Sequence, residues 1–191
     1  MSNIVYIIPG FWESVNLEGY QQALKFFKSR NFKVVPIEIS WKYKVMSNYV
    51  DEFLAQLAHK ESDDVYIFGF SFGAMIACIS AIKIKPKMLF LCSLSPYFKE
   101  DLKLLKTSWK NGIGRKRMED LKNFSFQELS KNINSKTLLI IGEKEPSEIS
   151  KRTNSAHKRV KNSELFIVKN AKHNISQKEY INKLQEIISK L

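Results

Sequence analysis

Val65-Tyr66-Ile67-Phe68-Gly69-Phe70-Ser71-Phe72-Gly73-Ala74-Met75-Ile76-Ala77 is the stretch that decides the architecture of this 191-residue chain. An apolar, strand-forming run meets Gly-x-Ser-x-Gly and passes directly into residues that suit a helix. The pattern predicts a strand turning so sharply into a helix that the serine at the corner is held out with its hydroxyl exposed. Gly69 and Gly73 flank Ser71 where any Cβ would crowd a neighbouring strand or helix, which accounts for the spacing. Context separates such a motif from an ordinary glycine-bearing turn, and the strand before it and the helix after it are both present.

Outward from this stretch, strand-like and helix-like runs alternate. Residues Ile4 to Ile8, Lys33 to Ile39, Val65 to Phe70, Met88 to Leu94, Thr137 to Ile141 and Leu165 to Val168 read as strands. Amphipathic or apolar stretches between them read as helices: Gly19 to Arg30, Met46 to His59, Phe72 to Ile84, Glu148 to Val160 and Gln177 to Leu191. Strands that are apolar throughout, separated by helices, describe a parallel sheet covered on both faces. Right-handed crossovers make that a doubly wound α/β layer. From Tyr97 to Ser135 there is no strand candidate, only basic, aromatic and helix-prone sequence. A connection of that length usually carries a function or small helices of its own. The expectation is one domain over 1–191, with 97–135 inserted as a helical lid.

Hydrophobic residues at 44% and charged residues at 26% are ordinary for a globular protein. No run is long enough to span a bilayer. The start, Met1 to Gly10, has no basic region and its apolar run stops at Pro9-Gly10, so it reads as a first strand rather than a secretory signal. Cys78 and Cys92 lie in apolar surroundings and fit reduced, buried thiols, an expectation of a cytoplasmic protein. The net charge of +12 first suggests nucleic acid. Yet the basic residues are spread along the chain, densest at Arg115-Lys116-Arg117, with no nucleic-acid motif. A solvated basic surface is expected, with no nucleic acid bound. Such a field would also steer in an anionic substrate or an acidic protein partner.

A serine hydroxyl is a weak nucleophile and needs a base, a group to orient that base, and donors for the oxyanion. Of three histidines, His59 ends an amphipathic helix and His157 sits in a basic helical stretch. His173 follows the last strand, in Lys169-Asn170-Ala171-Lys172-His173-Asn174. A loop at the C-terminal edge of a parallel sheet is where a base reaches Ser71. The orienting carboxylate belongs after the preceding strand, in Gly142-Glu143-Lys144-Glu145-Pro146. Glu145 is the choice, Glu143 its rival on the same turn, and Asp101 an alternative from beyond the neighbouring strand. The oxyanion hole needs two preorganised N–H groups. One is that of Phe72, the first residue of the helix after the nucleophile. The other is that of Phe11, in Pro9-Gly10-Phe11-Trp12-Glu13-Ser14 after the first strand, where Gly10 lets the chain turn.

The order Ser71, Glu145, His173, with the Pro-Gly-Phe loop upstream, resembles the α/β-hydrolase family over nearly the whole chain. The resemblance implies a minimal α/β-hydrolase fold of about six mostly parallel strands with helices on both faces, lacking the antiparallel strands of larger members. Three departures stand out. Pro9-Gly10 replaces the family's frequent His-Gly, the acid is a glutamate where aspartate is commoner, and phenylalanine flanks the serine on both sides. The implied activity is that of a serine esterase or thioesterase working through an acyl-enzyme, with no metal or organic cofactor. Trp12, Phe70, Tyr97 and Trp109 are expected to line an aromatic pocket for the small-molecule ester or thioester, with Phe98 beside them. The alternatives are an esterase or thioesterase for acyl groups on an acidic carrier protein, docked by the lid's basic residues, and a non-catalytic binding protein on the same fold.

Overall fold

The computed structural model describes residues 2–191. Six strands form one sheet: β1 (Asn3–Ile8), β2 (Lys33–Pro36), β3 (Asp64–Phe70), β4 (Met88–Cys92), β5 (Lys136–Gly142) and β6 (Ser163–Val168). Their order is β2-β1-β3-β4-β5-β6 and all five pairings are parallel. The four central strands are the runs that read as apolar throughout, because both of their faces are covered. The edge strands β2 and β6 are only partly buried.

Eight helices connect them: α1 (Glu18–Ser29), α2 (Met46–Ala55), α3 (Phe72–Ile84), α4 (Thr107–Ile113), α5 (Arg115–Leu121), α6 (Phe126–Leu129), α7 (Ser147–Arg159) and α8 (Lys178–Ile188). The period-two alternation of each strand sorts its side chains onto two cores. Val5, Ile7, Phe68 and Phe90 meet Tyr20, Leu24 and Phe27 of α1 and Tyr180, Leu184 and Ile187 of α8. Ile4, Tyr6, Ile8, Ile67 and Leu91 face the opposite way, onto α2, α3, α7 and the segment from Tyr97 to Ile133. Helix α3 lies against both β3 and its neighbours and is buried around most of its circumference, which is why its sequence shows no polar face.

Four elements are clearly shorter than expected: β2, α2, β4, which stops at Cys92 rather than Leu94, and α8, which spans Lys178–Ile188 rather than Gln177 to Leu191. Strand β2 stops at Pro36, which pairs with Ile7, because β1, its one partner among the described residues, ends at the next residue, Ile8; Ile37 makes one last bond to the Ile7 carbonyl at 2.9 Å. Helix α2 stops at Ala55, since residues 56–59 leave the helix to dock on the Tyr6 hydroxyl, which meets Ala58 N at 3.0 Å and His59 Nδ1 at 3.1 Å.

The order of strands sets the site. The chain moves from β1 outward to β2, then returns across β1 to β3 and continues in the other direction. The loops after β1 and β3 therefore part company at the C-terminal edge, leaving a crevice at the switch point where α/β sheets bind their ligands. Those two loops carry Phe11 and Ser71. The loops after β4, β5 and β6 follow in spatial order along the same edge.

Candidate active site

Ser71 sits at φ 56°, in the left-handed region that side chains rarely adopt, between the end of β3 and the start of α3. The strain is imposed by the corner. A Cβ on Gly69 would collide with the backbone of Gly73, and one on Gly73 would collide with the carbonyls of Ile8 and Pro9. The elbow is thus wedged against both its own helix and the end of β1, and only hydrogen fits at either position. Ser71 N donates to the Cys92 carbonyl at 2.8 Å, tying the turn to β4.

Three side chains from separate loops meet there. Ser71 Oγ lies 3.0 Å from His173 Nε2, and His173 Nδ1 lies 2.8 Å from Glu145 Oε2. Glu145 accepts two further bonds on Oε1, from Gly142 N at 2.8 Å and from the Ser93 hydroxyl at 2.6 Å. An ionised carboxylate only accepts, so the proton between Glu145 and the ring sits on Nδ1 and leaves the Nε2 lone pair facing Ser71. The Glu145 side chain is fully buried while the imidazole is 32% exposed, so the pair is anchored at one end and reachable from outside at the other.

The other two carboxylates are committed elsewhere. Glu143 Oε2 accepts from Asn170 N at 2.9 Å. Asp101 forms a two-pronged pair with Arg152, at 2.8 Å and 2.5 Å. His157 bonds to Ser163 and, like His59, is remote from Ser71 in its partners.

Neither the Phe11 nor the Phe72 N–H donates a hydrogen bond to another described residue. Their loop is braced nonetheless. Glu13 accepts from Gly10 N at 3.2 Å and from the Tyr20 hydroxyl, which itself accepts from Gly10 N at 2.8 Å. Burial and the Glu13 carboxylate push the Tyr20 hydroxyl well above the ordinary tyrosine range, so it stays a donor. The Phe11 ring stacks obliquely on Phe72 at 5.0 Å and sits under the Arg117 guanidinium at 5.0 Å.

A cavity of about 330 Å³ opens over Ser71, walled by Phe11, Phe72, Tyr97, Trp109, Ile113, Pro146 and Ile149, with Ser71, Ser95 and His173 at its polar floor. Tyr97 and Trp109 both line this cavity, their rings 5.9 Å apart. Burial pushes the Tyr97 hydroxyl up to about 12. Two expected lining residues do not reach it. Phe70 alternates to the opposite face of β3, where it is fully buried and packs beneath the His173 ring at 5.0 Å. Trp12, 61% exposed, turns away and lines a separate cleft. Phe98 is also sealed into the core, against Phe126 and Arg152.

Sequence reading passed over Ser93, Ser95 and Tyr180. Ser93 Oγ, its proton given to Glu145, also stands 2.9 Å from the Tyr180 hydroxyl, whose single proton is shared between Ser93 Oγ and the Ile140 carbonyl at 3.1 Å. Ser95 Oγ stands 3.1 Å from Ser71 Oγ. The signal was present in Cys92-Ser93-Leu94-Ser95, an apolar strand ending in two hydroxyls on the edge that carries the nucleophile.

No protein-family model and no curated protein matches the chain. Solved structures do. Est1E from Butyrivibrio proteoclasticus superposes with a TM-score of 0.84 at 13% identity, covering 99% of this chain and 86% of that chain. Alpha/beta hydrolase domain-containing protein 10 from mouse gives 0.84 at 14% identity, over 98% and 88%. The esterase domain of a Rhodothermus marinus protein gives 0.72 at 13%, over 99% and 85%. Six parallel strands in this order, helices on both faces and superposition over almost the whole length together establish that the chain has the α/β-hydrolase fold.

Proposed function

We propose that the protein is a serine hydrolase that cleaves a carboxylic ester or thioester through an acyl-enzyme. One observation carries this reading: the unbroken line of contacts from Ser71 Oγ through both nitrogens of His173 to a buried, triply bonded Glu145. In the first half-reaction Ser71 Oγ attacks the carbonyl carbon as its proton passes to His173 Nε2. The carbonyl oxygen becomes an oxyanion that accepts from the free N–H groups of Phe11 and Phe72, a contact worth on the order of a hundred- to a thousand-fold in turnover per donor. Collapse of this intermediate breaks the bond to the alcohol or thiol, which leaves with the proton from Nε2. In the second half, a water gives its proton to Nε2, attacks the acyl-Ser71 carbonyl, and the acid is released as Ser71 recovers its proton. Glu145 holds the ring orientation and balances the imidazolium in both halves.

The apolar wall of the cavity suits an apolar or aryl acyl group, and Est1E, at 12% identity, has been seen with ferulic acid, an aryl acid, bound. The segment 97–135 acts as the lid in this reading. It contributes Tyr97, Trp109 and Ile113 to the cavity and is pinned to the body by Asp101–Arg152, by Asp120 on Ser47 at 2.6 Å, and by Arg117 on the Trp41 carbonyl at 2.9 Å.

The test is covalent labelling with a fluorophosphonate probe, together with hydrolysis of p-nitrophenyl and acyl-thioester series. Labelling is expected for the wild-type chain and lost in Ser71→Ala, with His173→Ala slowed by several orders of magnitude. Undiminished labelling of Ser71→Ala overturns the reading.

A further inference from the structure

Beside the Ser71 cavity lies a second cleft of about 510 Å³, and Ile113 lines both, so the two adjoin at that side chain. Its walls combine two unusual features. Trp12 and Tyr43 are the exposed aromatic side chains among the large apolar residues described, at 61% and 81%, and both face this cleft. Both also sit at φ 61°, a backbone conformation that bulky side chains avoid. Strain of this kind clusters at ligand clamps and active sites, where surrounding structure enforces it.

The second feature is charge. Lys42, Lys44, Arg115, Lys116 and Arg117 line the cleft and no carboxylate does. Lys44 is satisfied by Glu52 at 3.2 Å and Arg117 by Tyr49 and the Trp41 carbonyl. Lys42, Arg115 and Lys116 form no ion pair among the described residues. Arg115 and Lys116 also border a neighbouring hollow that holds Glu119 and Asp120, and those two acids are bonded to Lys122 and Ser47. The Lys42 ammonium stands 5.0 Å over the Tyr43 ring, so a cation and a π-face are presented together.

Cations alone would accept any anion, and exposed rings alone any flat apolar group. A concave site that holds both matches a ligand in which a planar ring is joined to phosphates. Aromatic side chains stack on nucleobases irrespective of sequence, and Lys and Arg are the common phosphate partners. We propose that this cleft binds the nucleoside diphosphate end of the substrate, an acyl ester or thioester whose acyl bond reaches Ser71 past Ile113. The ring stacks on Trp12 or Tyr43, and Lys42, Arg115 and Lys116 take the phosphates. The chemistry at Ser71 rests on the hydrolase reading above; the binding does not.

The experiment is calorimetric titration of the Ser71→Ala chain with adenosine 5′-diphosphate, adenosine and inorganic pyrophosphate. The diphosphate nucleoside is expected to bind at least about tenfold more tightly than either fragment, with affinity falling as salt screens the phosphates. Adding Lys42→Ala and Arg115→Ala is expected to weaken it by about tenfold or more, and Trp12→Ala by a similar factor. Lys161→Ala, a distant exposed cation, controls for net charge, and thermal melting verifies that each variant folds. No binding, equal binding of pyrophosphate, tighter binding of a single-stranded oligonucleotide, or insensitivity to the Lys42/Arg115 pair overturns the proposal. Absence of fluorophosphonate labelling in the wild-type chain, with nucleotide binding intact, would strike the hydrolase reading instead. A lower KM for a nucleotide-bearing thioester than for the same acyl group on a plain thiol joins the two.

Discussion

The Ser93 hydroxyl donates to Glu145 Oε1 at 2.6 Å while Glu145 Oε2 holds His173 at 2.8 Å, so the two oxygens of one carboxylate are fixed from opposite sides. Ser93 is fully buried and sits at φ 51°, a strained backbone position also held by its N–H on the Ile140 carbonyl at 2.7 Å. In Ser93→Ala, Oε1 keeps only the Gly142 N–H, and a buried partner is lost. The expected cost is about 1–3 kcal/mol of stability, read as a fall of roughly 2–4 °C per kcal/mol in the melting midpoint. Turnover is expected to fall several-fold at unchanged KM, because the orienting carboxylate gains freedom. Melting that drops while kcat holds would reduce Ser93 to a packing role.

Asp101 and Glu145 are both acidic, both close to the edge of the sheet, and differently employed. Glu145→Gln keeps the shape but presents a donor or a neutral oxygen to His173 Nδ1. It is expected to lower kcat by about a thousand-fold or more, on the scale of mutating the acid of a serine triad, with little change in melting. Asp101→Asn leaves Arg152, which is 5% exposed, facing a neutral group. Breaking a buried pair in this way costs about 3–5 kcal/mol, so its melting midpoint should drop with kcat nearly intact. Steady-state kinetics and thermal melts on the two variants separate these roles, and a reversed pattern would exchange them.

The sheet was legible because its central strands must be apolar on both faces, and Gly69-Phe70-Ser71-Phe72-Gly73 has few backbone solutions when a strand end and a helix start both press on it. The positions of Ser71 and His173 followed from chain order and the switch point. Glu145, the carboxylate chosen from sequence, is the one that meets His173, but Glu143 shares its turn and only the side-chain directions separate the two. Phe70 and Trp12 misled for one reason: an aromatic residue next to a nucleophile or an oxyanion loop reads as pocket, but strand alternation sends Phe70 beneath the base and a left-handed φ swings Trp12 outward. Ser93 and Tyr180 lie 87 residues apart, and nothing in either neighbourhood announces their bond.

Ser95 Oγ lies within 3.1 Å of Ser71 Oγ and is 3% exposed. With the Ser71 proton directed to His173, Ser95 is the donor in this contact and the Ser71 oxygen accepts. In the proposed mechanism that bond would hold Ser71 in one rotamer as its proton passes to His173. Ser95→Ala is therefore expected to lower the rate of acylation about three- to tenfold, the loss of one neutral hydrogen bond of about 0.5–1.5 kcal/mol. Pre-steady-state release of p-nitrophenol measures it directly. An unchanged burst rate would show that His173 alone positions Ser71.

Buried acids whose neutral forms the fold favours, Cys78, Cys92, Tyr20 and Tyr180 among them, lower stability at alkaline pH. Burial pushes the Cys78 thiol up to about 12 from 9.0, raises Cys92 well above 9.0, and raises the Tyr20 and Tyr180 hydroxyls well above 10.0. In the unfolded chain these groups lose their protons near their ordinary values, while the folded chain resists. The unfolded state therefore binds fewer protons above about pH 9, and stability falls as pH rises. The contribution is fully present below the unfolded values and disappears toward the folded ones. The melting midpoint is expected to be flat from pH 7 to 8.5 and to decline steadily from pH 9 to 11, with the decline shallower in Tyr180→Phe. The same burial makes both thiols inert in the native state, so labelling by a disulfide reagent should proceed at the rate of unfolding and accelerate with denaturant. Rapid stoichiometric labelling of the folded chain at pH 8 would show that Cys78 or Cys92 is reached without unfolding, and would remove the thiols from this account.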